Sequence, residues 1–96
     1  MILTFHDATT CDVFNGLNSK AARKLPVEAH PIAQRKMDLI NAAKTLHDLR
    51  VPPGNRLEAL KGDWKGFYSI RINDQWRIVF RWTVVGAEDV QVLDYH

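Results

Sequence analysis

A chain of 96 residues has room for one compact domain, spanning 1–96, and not for two. Its 46% apolar and 25% charged residues are the composition of a folded globular protein and exclude intrinsic disorder, while apolar runs of only a few residues, such as Met1–Ile2–Leu3, exclude a membrane-spanning helix. The single cysteine, Cys11, rules out an internal disulfide and a cysteine-rich zinc site; with no basic-then-apolar secretory pattern at the N-terminus, a reducing cytoplasm is the expected setting.

The net charge of +2 hides an uneven distribution. Residues 50–82 hold seven basic side chains (Arg50, Arg56, Lys61, Lys65, Arg71, Arg77, Arg81) against three acidic ones (Glu58, Asp63, Asp74). Residues 83–96 hold only acidic ones: Glu88, Asp89 and Asp94. A solvated basic face or an anion-binding surface would both produce this pattern, and strand geometry has to decide between them.

In chain order, Met1–Phe5 reads as a short strand. Asp7 is placed to cap a helix in which Cys11, Val13, Phe14 and Leu17 share an apolar face. Gly16, Asn18 and Ser19 interrupt it, and Lys20–Leu25 forms a short second piece before Pro26. Pro31 suits the first turn of a further helix, where a missing N–H costs nothing. Ile32, Ala33, Met37, Ile40, Ala43 and Leu46 supply its apolar stripe, which belongs to the core. Thr45 is placed to cap a last turn before the breaker Pro52–Pro53–Gly54. From Arg56 the period becomes alternating. Arg56–Leu60, Phe67–Ile72, Trp76–Trp82 and Asp89–Tyr95 read as strands, with a loop from Lys61 to Gly66. The order of elements predicts an α+β fold: a small antiparallel or mixed sheet of four to five strands with two N-terminal helices on one face.

Parity fixes the register of the central hairpin. Tyr68, Ile70 and Ile72 share one face of their strand, and Trp76, Ile78, Phe80 and Trp82 share one face of the next. Apolar residues meet apolar residues only if Asn73–Asp74–Gln75 forms a three-residue loop, which sets Ile72 against Trp76, Ile70 against Ile78 and Tyr68 against Phe80. Asn or Asp would take the left-handed position in such a loop. On the opposite face the same register sets Arg71 directly against Arg77, with Arg81 farther along and Ser69 and Val79 between. Like charges so opposed are mildly destabilising. Either acidic groups from elsewhere, such as Asp94 or Glu58, neutralise them, or an external polyanion does. We favour the latter, since guanidinium groups suit phosphate through paired N–H donors.

In the last strand, Val90 and Val92 point one way and Gln91 and Leu93 the other; parity alone leaves open which set joins the arginines. Asp94-Tyr95-His96 end the sequence with a carboxylate, a phenol and an imidazole able to transfer a proton near neutral pH. His6, His30 and His47 read as structural or solvated, and Cys11 as core. No metal-binding pair of histidines, glycine-rich phosphate loop or nucleophile elbow is present.

Several segments, taken in order, carry a family resemblance: Pro53-Gly54-Asn55-Arg56-Leu57, Leu60-Lys61-Gly62-Asp63, Ser69-Ile70-Arg71, Asn73-Asp74-Gln75-Trp76-Arg77-Ile78 and the terminal Asp94-Tyr95-His96. The chain resembles the HigB branch of the RelE/ParE toxin superfamily over nearly its whole length. The resemblance implies a RelE-like fold and a metal-independent endoribonuclease, without a cofactor, that cuts messenger RNA in the ribosomal A site of a bacterial cell. It also implies a cognate helix-turn-helix antitoxin, through which alone operator DNA would be contacted, and no membrane partner. Carried over by position, Lys61 and Arg77 would face the phosphate. His96, with Asp94 and Tyr95, would serve proton transfer or substrate positioning. The register adds Arg71, and the basic stretch adds Arg81 and Arg56, as substrate-binding candidates. Glu58 stands where many members carry histidine, and as a carboxylate it is a further candidate base. Two other readings share this architecture: a ParE-like inhibitor of a protein such as DNA gyrase, and a plain RNA-binding module using the basic sheet with Trp64, Phe67 and Tyr68.

Overall fold

The computed structural model describes residues 1–94. Helices α1 (Ala8–Phe14) and α2 (His30–Ala42) precede strands β1 (Glu58–Ala59), β2 (Phe67–Arg71), β3 (Trp76–Trp82) and β4 (Ala87–Asp94). The strands form one four-stranded antiparallel sheet in chain order. The predicted fold class is therefore the observed one. The last strand starts earlier than predicted, at Ala87, and Tyr95 lies outside the described residues.

Helix α1 begins where Asp7 was expected to cap it: its Oδ1 accepts the Thr10 N–H at 2.8 Å and the Thr10 hydroxyl at 2.7 Å. The same hydroxyl oxygen accepts the Val92 N–H at 3.0 Å, which ties the cap to β4. The helix stops at Phe14, and Gly16 turns the chain with φ +73°. Leu17 therefore leaves the apolar face assigned to it and is exposed, because helical spacing places residues only while the helix lasts. Buried His30 sets its Nε2 against the carbonyls of Ala22 (2.9 Å) and Leu25 (2.8 Å), so it binds structure together as expected. On α2, Ala33, Met37 and Ile40 are fully buried, with Ile32 and Leu39 packed beside them; Ala43 and Leu46, assigned to the same stripe, lie past the end of the helix and still pack against the core.

After α2 the carboxylate of Asp48 accepts the backbone N–H groups of Lys44 (2.9 Å) and Thr45 (3.1 Å), and these bonds hold its carboxyl below the usual carboxylate range. The folded value lies below the unfolded one. This cap is accordingly at full strength above the unfolded value of about 3.9 and is lost as pH falls through the lower folded value. An NMR titration should show the Lys44 and Thr45 amide shifts moving with the Asp48 carboxyl, at a midpoint below the ordinary aspartate value; Asp48→Asn should abolish the movement.

Met1–Phe5 does not become a full strand. It forms an arm parallel to β4, with isolated bridges from Ile2 to Ala87 and from Phe5 to Val90. Leu3 N–H donates to Ala87 (2.7 Å), His6 N–H to Val90 (2.9 Å), and Ala87 and Val90 N–H groups donate back to Met1 (2.8 Å) and Thr4 (3.1 Å). Between the bridges Asp89 takes a left-handed conformation (φ 56°), where its N–H donates to Thr4 Oγ1 at 2.8 Å. This interruption is why the pairing stays isolated. Gly86 lies so close to the arm that an added Cβ would stand 2.2 Å from the Met1 carbonyl oxygen. Gly86→Ala should displace the arm and cost about 1–3 kcal/mol, read as a lowered thermal midpoint.

The β2–β3 register is the one parity demanded: Tyr68 opposite Phe80, Ile70 opposite Ile78 and Arg71 opposite Arg77, with the Ile72 N–H donating to Trp76 at 3.0 Å. The loop is closed differently from expectation. Among the described residues only Arg56 and Asp89 combine a side chain with positive φ, so no loop residue is left-handed. Instead Asn73 Oδ1 accepts the N–H groups of Gln75 (2.9 Å) and Trp76 (2.8 Å), a side-chain mimic of a backbone turn. The helices and the apolar sheet face enclose one core that includes Val13, Leu25, Met37, Ile40, Leu49, Ile70, Ile78, Phe80 and Val90. Each fully buried side chain of this size contributes about 1.5–3 kcal/mol.

Candidate active site

The sheet face turned away from the helices carries Phe67, Ser69 and Arg71 on β2 and Arg77, Val79 and Arg81 on β3. Pairing settles the open question of β4. Leu93 lies opposite Arg77, Gln91 opposite Val79 and Glu88 opposite Arg81, so these share the arginine face; Val92, opposite Ile78, belongs to the core side. Glu58 lies opposite Ser69 and joins the arginine face from β1.

Arg77 is the centre of this face. Its side chain is only 9% exposed and leans across the sheet rather than standing out from it. Its Nε donates to Ser69 Oγ at 2.8 Å and its Nη2 to the Arg56 carbonyl at 2.7 Å, with Glu58 Oε1 3.9 Å from Nη2. Ser69 and Val79 beside it are fully buried although they point away from the helices. A guanidinium so far from water requires hydrogen-bond acceptors, and a serine hydroxyl and a backbone carbonyl are two that hold it in place.

The other arginines have acidic neighbours as well. Arg71 bonds the Asp74 carboxylate in the β2–β3 loop, and Asp74 is 95% exposed. Arg81 lies 4.0 Å from Glu88 and 4.7 Å from the centre of the Phe67 ring, which Trp64 meets edge-on at 5.3 Å between centroids. Internal neutralisation is thus partial. Glu58 approaches Arg77 as considered, while Asp74 and Glu88 take the parts that the sequence did not assign them. Surface pairs of this kind are weak and readily exchanged for another anion.

At one end of the face the structure gathers Ser69, Glu58 and the Arg56 backbone carbonyl around Arg77, while Arg71, opposite Arg77, turns its guanidinium to Asp74. Arg81 stands near the other end. Lys61 is exposed where the chain leaves β1, ahead of the tight turn Gly62–Trp64. Asp94 lies opposite Trp76 at the end of β4 and accepts the Gln75 side-chain amide at 3.0 Å. Tyr95 and His96 lie outside the described residues. Sequence reasoning missed two groups beside the cluster. Lys36 on α2 donates to Asn55, and its ammonium is held below its usual pKa by burial, then by the charges of Arg35 and Arg71. Lys36 lies merely off the apolar stripe and gives no local signal; Asn55 stood within a quoted motif without a role.

A helix pair on one face of a short four-stranded antiparallel sheet is a RelE/YafQ-like fold. YafQ from E. coli superposes with a TM-score of 0.66 at 14% identity, covering 99% of this chain and 92% of that one. The YoeB/ParE toxin from Agrobacterium tumefaciens gives 0.54 at 20% identity over the whole of both chains. In sequence, the chain is 43% identical over 79 residues to Toxin HigB-1 of Vibrio cholerae, 82% of each. It is also 39% identical over 59 residues to an uncharacterized protein of Haemophilus influenzae, 62% of this chain and 58% of that one. Residues 3–96 match the family described as RelE-like toxin of type II toxin–antitoxin system HigB. The chain belongs to this HigB-like toxin family, and a type II toxin implies a cognate antitoxin.

Proposed function

We propose that this toxin cleaves messenger RNA on the ribosome through attack of a ribose 2′-hydroxyl on the adjacent phosphorus. The O2′–P bond forms and the P–O5′ bond breaks, leaving a 2′,3′-cyclic phosphate, or its hydrolysed 3′-phosphate, and a 5′-hydroxyl. One proton leaves the 2′ oxygen, one reaches the 5′ oxygen, and the phosphoryl oxygens gain charge between them. The requirement for a 2′-hydroxyl restricts the reaction to RNA.

The observation that carries this reading is the fixed guanidinium of Arg77. Donors already oriented before charge develops stabilise it without reorganisation, and a buried environment strengthens the effect. Nη2 is engaged by Arg56 and Nε by Ser69, so the group is held at two points on the sheet face. Arg71, Arg56 and Arg81 would hold the flanking backbone, and exposed Lys61 would reach a phosphate. Glu58, half-exposed beside Arg77, is one proton-transfer candidate; the resemblance adds Asp94, Tyr95 and His96, of which Asp94 starts from the Trp76 face of β4 and not from the Arg77 face. The partners are the ribosome and its mRNA in the bacterial cytoplasm. A helix-turn-helix antitoxin is the inhibitor, and operator DNA is reached only through it.

Purified toxin added to translating ribosomes should produce defined cuts, mapped by primer extension. His96→Gln should lower cutting about 10²–10⁴-fold if the imidazole transfers a proton. Intact mRNA at saturating toxin would overturn the reading. Inhibition of gyrase supercoiling without cuts would replace it with the ParE-like one.

A further inference from the structure

Asn55 is fully buried, although it ends the exposed turn Pro53–Asn55. Its amide has only one workable orientation. Lys36 Nζ is solely a donor and meets Oδ1, whereas the carbonyls of Leu49 (3.1 Å) and Val51 (3.4 Å) are solely acceptors and meet Nδ2. These three bonds pin the segment before Arg56 against α2. Arg56 then adopts a left-handed conformation (φ 48°, ψ 55°), which side-chain-bearing residues seldom take and which needs surrounding structure to hold it. Its carbonyl is the one that receives Arg77 Nη2.

We propose that the Lys36–Asn55 pair is a positioning device for Arg77, anchoring the turn whose Arg56 carbonyl sets the guanidinium on the sheet face. The chain runs from α2 through Asn55 to Arg56 and so to Arg77; neither Lys36 nor Asn55 need touch the substrate. The pair is costly to keep for packing alone. Burial and the neighbouring Arg35 and Arg71 charges disfavour the Lys36 ammonium, and an apolar side chain of similar length would fill the space without that penalty. A fully satisfied polar network does what apolar packing does less well: it admits a single arrangement.

The effect on catalysis rests on the nuclease reading, but the effect on Arg77 does not, so the two are measured separately. The first measurement is ¹⁵N NMR of the Arg77 Nε–H, assigned by its loss in Arg77→Lys. In Lys36→Met and Asn55→Ala it should exchange with water about tenfold faster or more, as expected when a buried hydrogen-bonded network is loosened. Lys36→Arg, which retains a donor, should restore slow exchange. The second is cutting kinetics. Lys36→Met should lower kcat about 10- to 100-fold with KM unchanged, and adding Asn55→Ala should make it no worse, since both act on one device. Should Asn55→Ala fail to fold, half-buried Lys36 still decides the matter. Wild-type Arg77 exchange in Lys36→Met overturns the proposal; so does a raised KM with unchanged kcat, which would make Lys36 a simple RNA contact. A wild-type toxin that does not cut, while Arg77 still responds to Lys36→Met, sinks the nuclease reading and leaves the positioning role standing.

Discussion

Arg77→Ala is expected to reduce mRNA cutting by about 10²–10³-fold, the usual effect of removing one preorganised donor from a developing oxyanion. The loss should fall on kcat, because the guanidinium is fixed before substrate arrives. Arg77→Lys keeps the charge but gives up the planar fork that reaches Ser69 and Arg56 together, and it should recover only a small part of the activity. Truncation also strands the Ser69 hydroxyl, which is fully buried, at about 1–3 kcal/mol. Thermal midpoints measured alongside the kinetics separate the two losses. Ser69→Ala supplies the converse control: the charge stays, its orientation loosens, and activity should fall by less than in Arg77→Ala. Equal cutting by wild type and Arg77→Ala, both folded, would remove the chemical basis of the proposed activity.

The second large effect is on stability. Phe80 is fully buried, with ring centroids of Tyr68 and Trp82 each 6.4 Å away. Phe80→Ala should cost about 3–5 kcal/mol, the sum of lost transfer energy and the cavity left behind. A domain of this size has a total of only about 5–15 kcal/mol, so the variant should lose a large share of its stability and melt well below the wild type. Urea titration should show a lower midpoint with an unchanged slope, while Phe80→Leu retains more of it. Wild-type stability in Phe80→Ala would mean that the core is not packed as described.

What the sequence disclosed followed from periodicity. The β2–β3 register could be read because a slip of one residue would have turned Ile70 and Ile78, or Phe80, toward water, and that penalty is large. Arg71 opposite Arg77 came with it as a geometric corollary. The α2 stripe and the Asp7 cap were legible for the same reason: both are local rules written in local residues. Parity, however, says which face a side chain starts from, not where a long one ends. It could not show Arg77 lying across to Ser69 and Arg56, nor Asp74 folding back onto Arg71. The Lys36–Asn55 bond joins residues 19 apart with no periodic relation, so nothing in either neighbourhood announces it. Leu17 was misassigned because the pattern was followed past the end of its helix. The N-terminal strand became an arm because a single left-handed residue in β4, Asp89, breaks the ladder, and no rule of composition marks that position. His96 and Tyr95, assigned by resemblance, fall outside the described residues.

The arm carries a kinetic implication. Thr4 and Asp89 are joined across 85 positions of chain, and every backbone bond that seats residues 1–6 on β4 is of similar reach. Contacts this remote in sequence require the largest loop closures and form late. On a ribosome adding about 5–20 residues per second, the arm stays undocked until the final strand has cleared the exit tunnel. An arrested or prematurely terminated nascent chain lacking that strand would therefore carry the Arg77 hairpin without its finished flank, which gives a cell an interval in which the polypeptide exists but the assembled toxin does not.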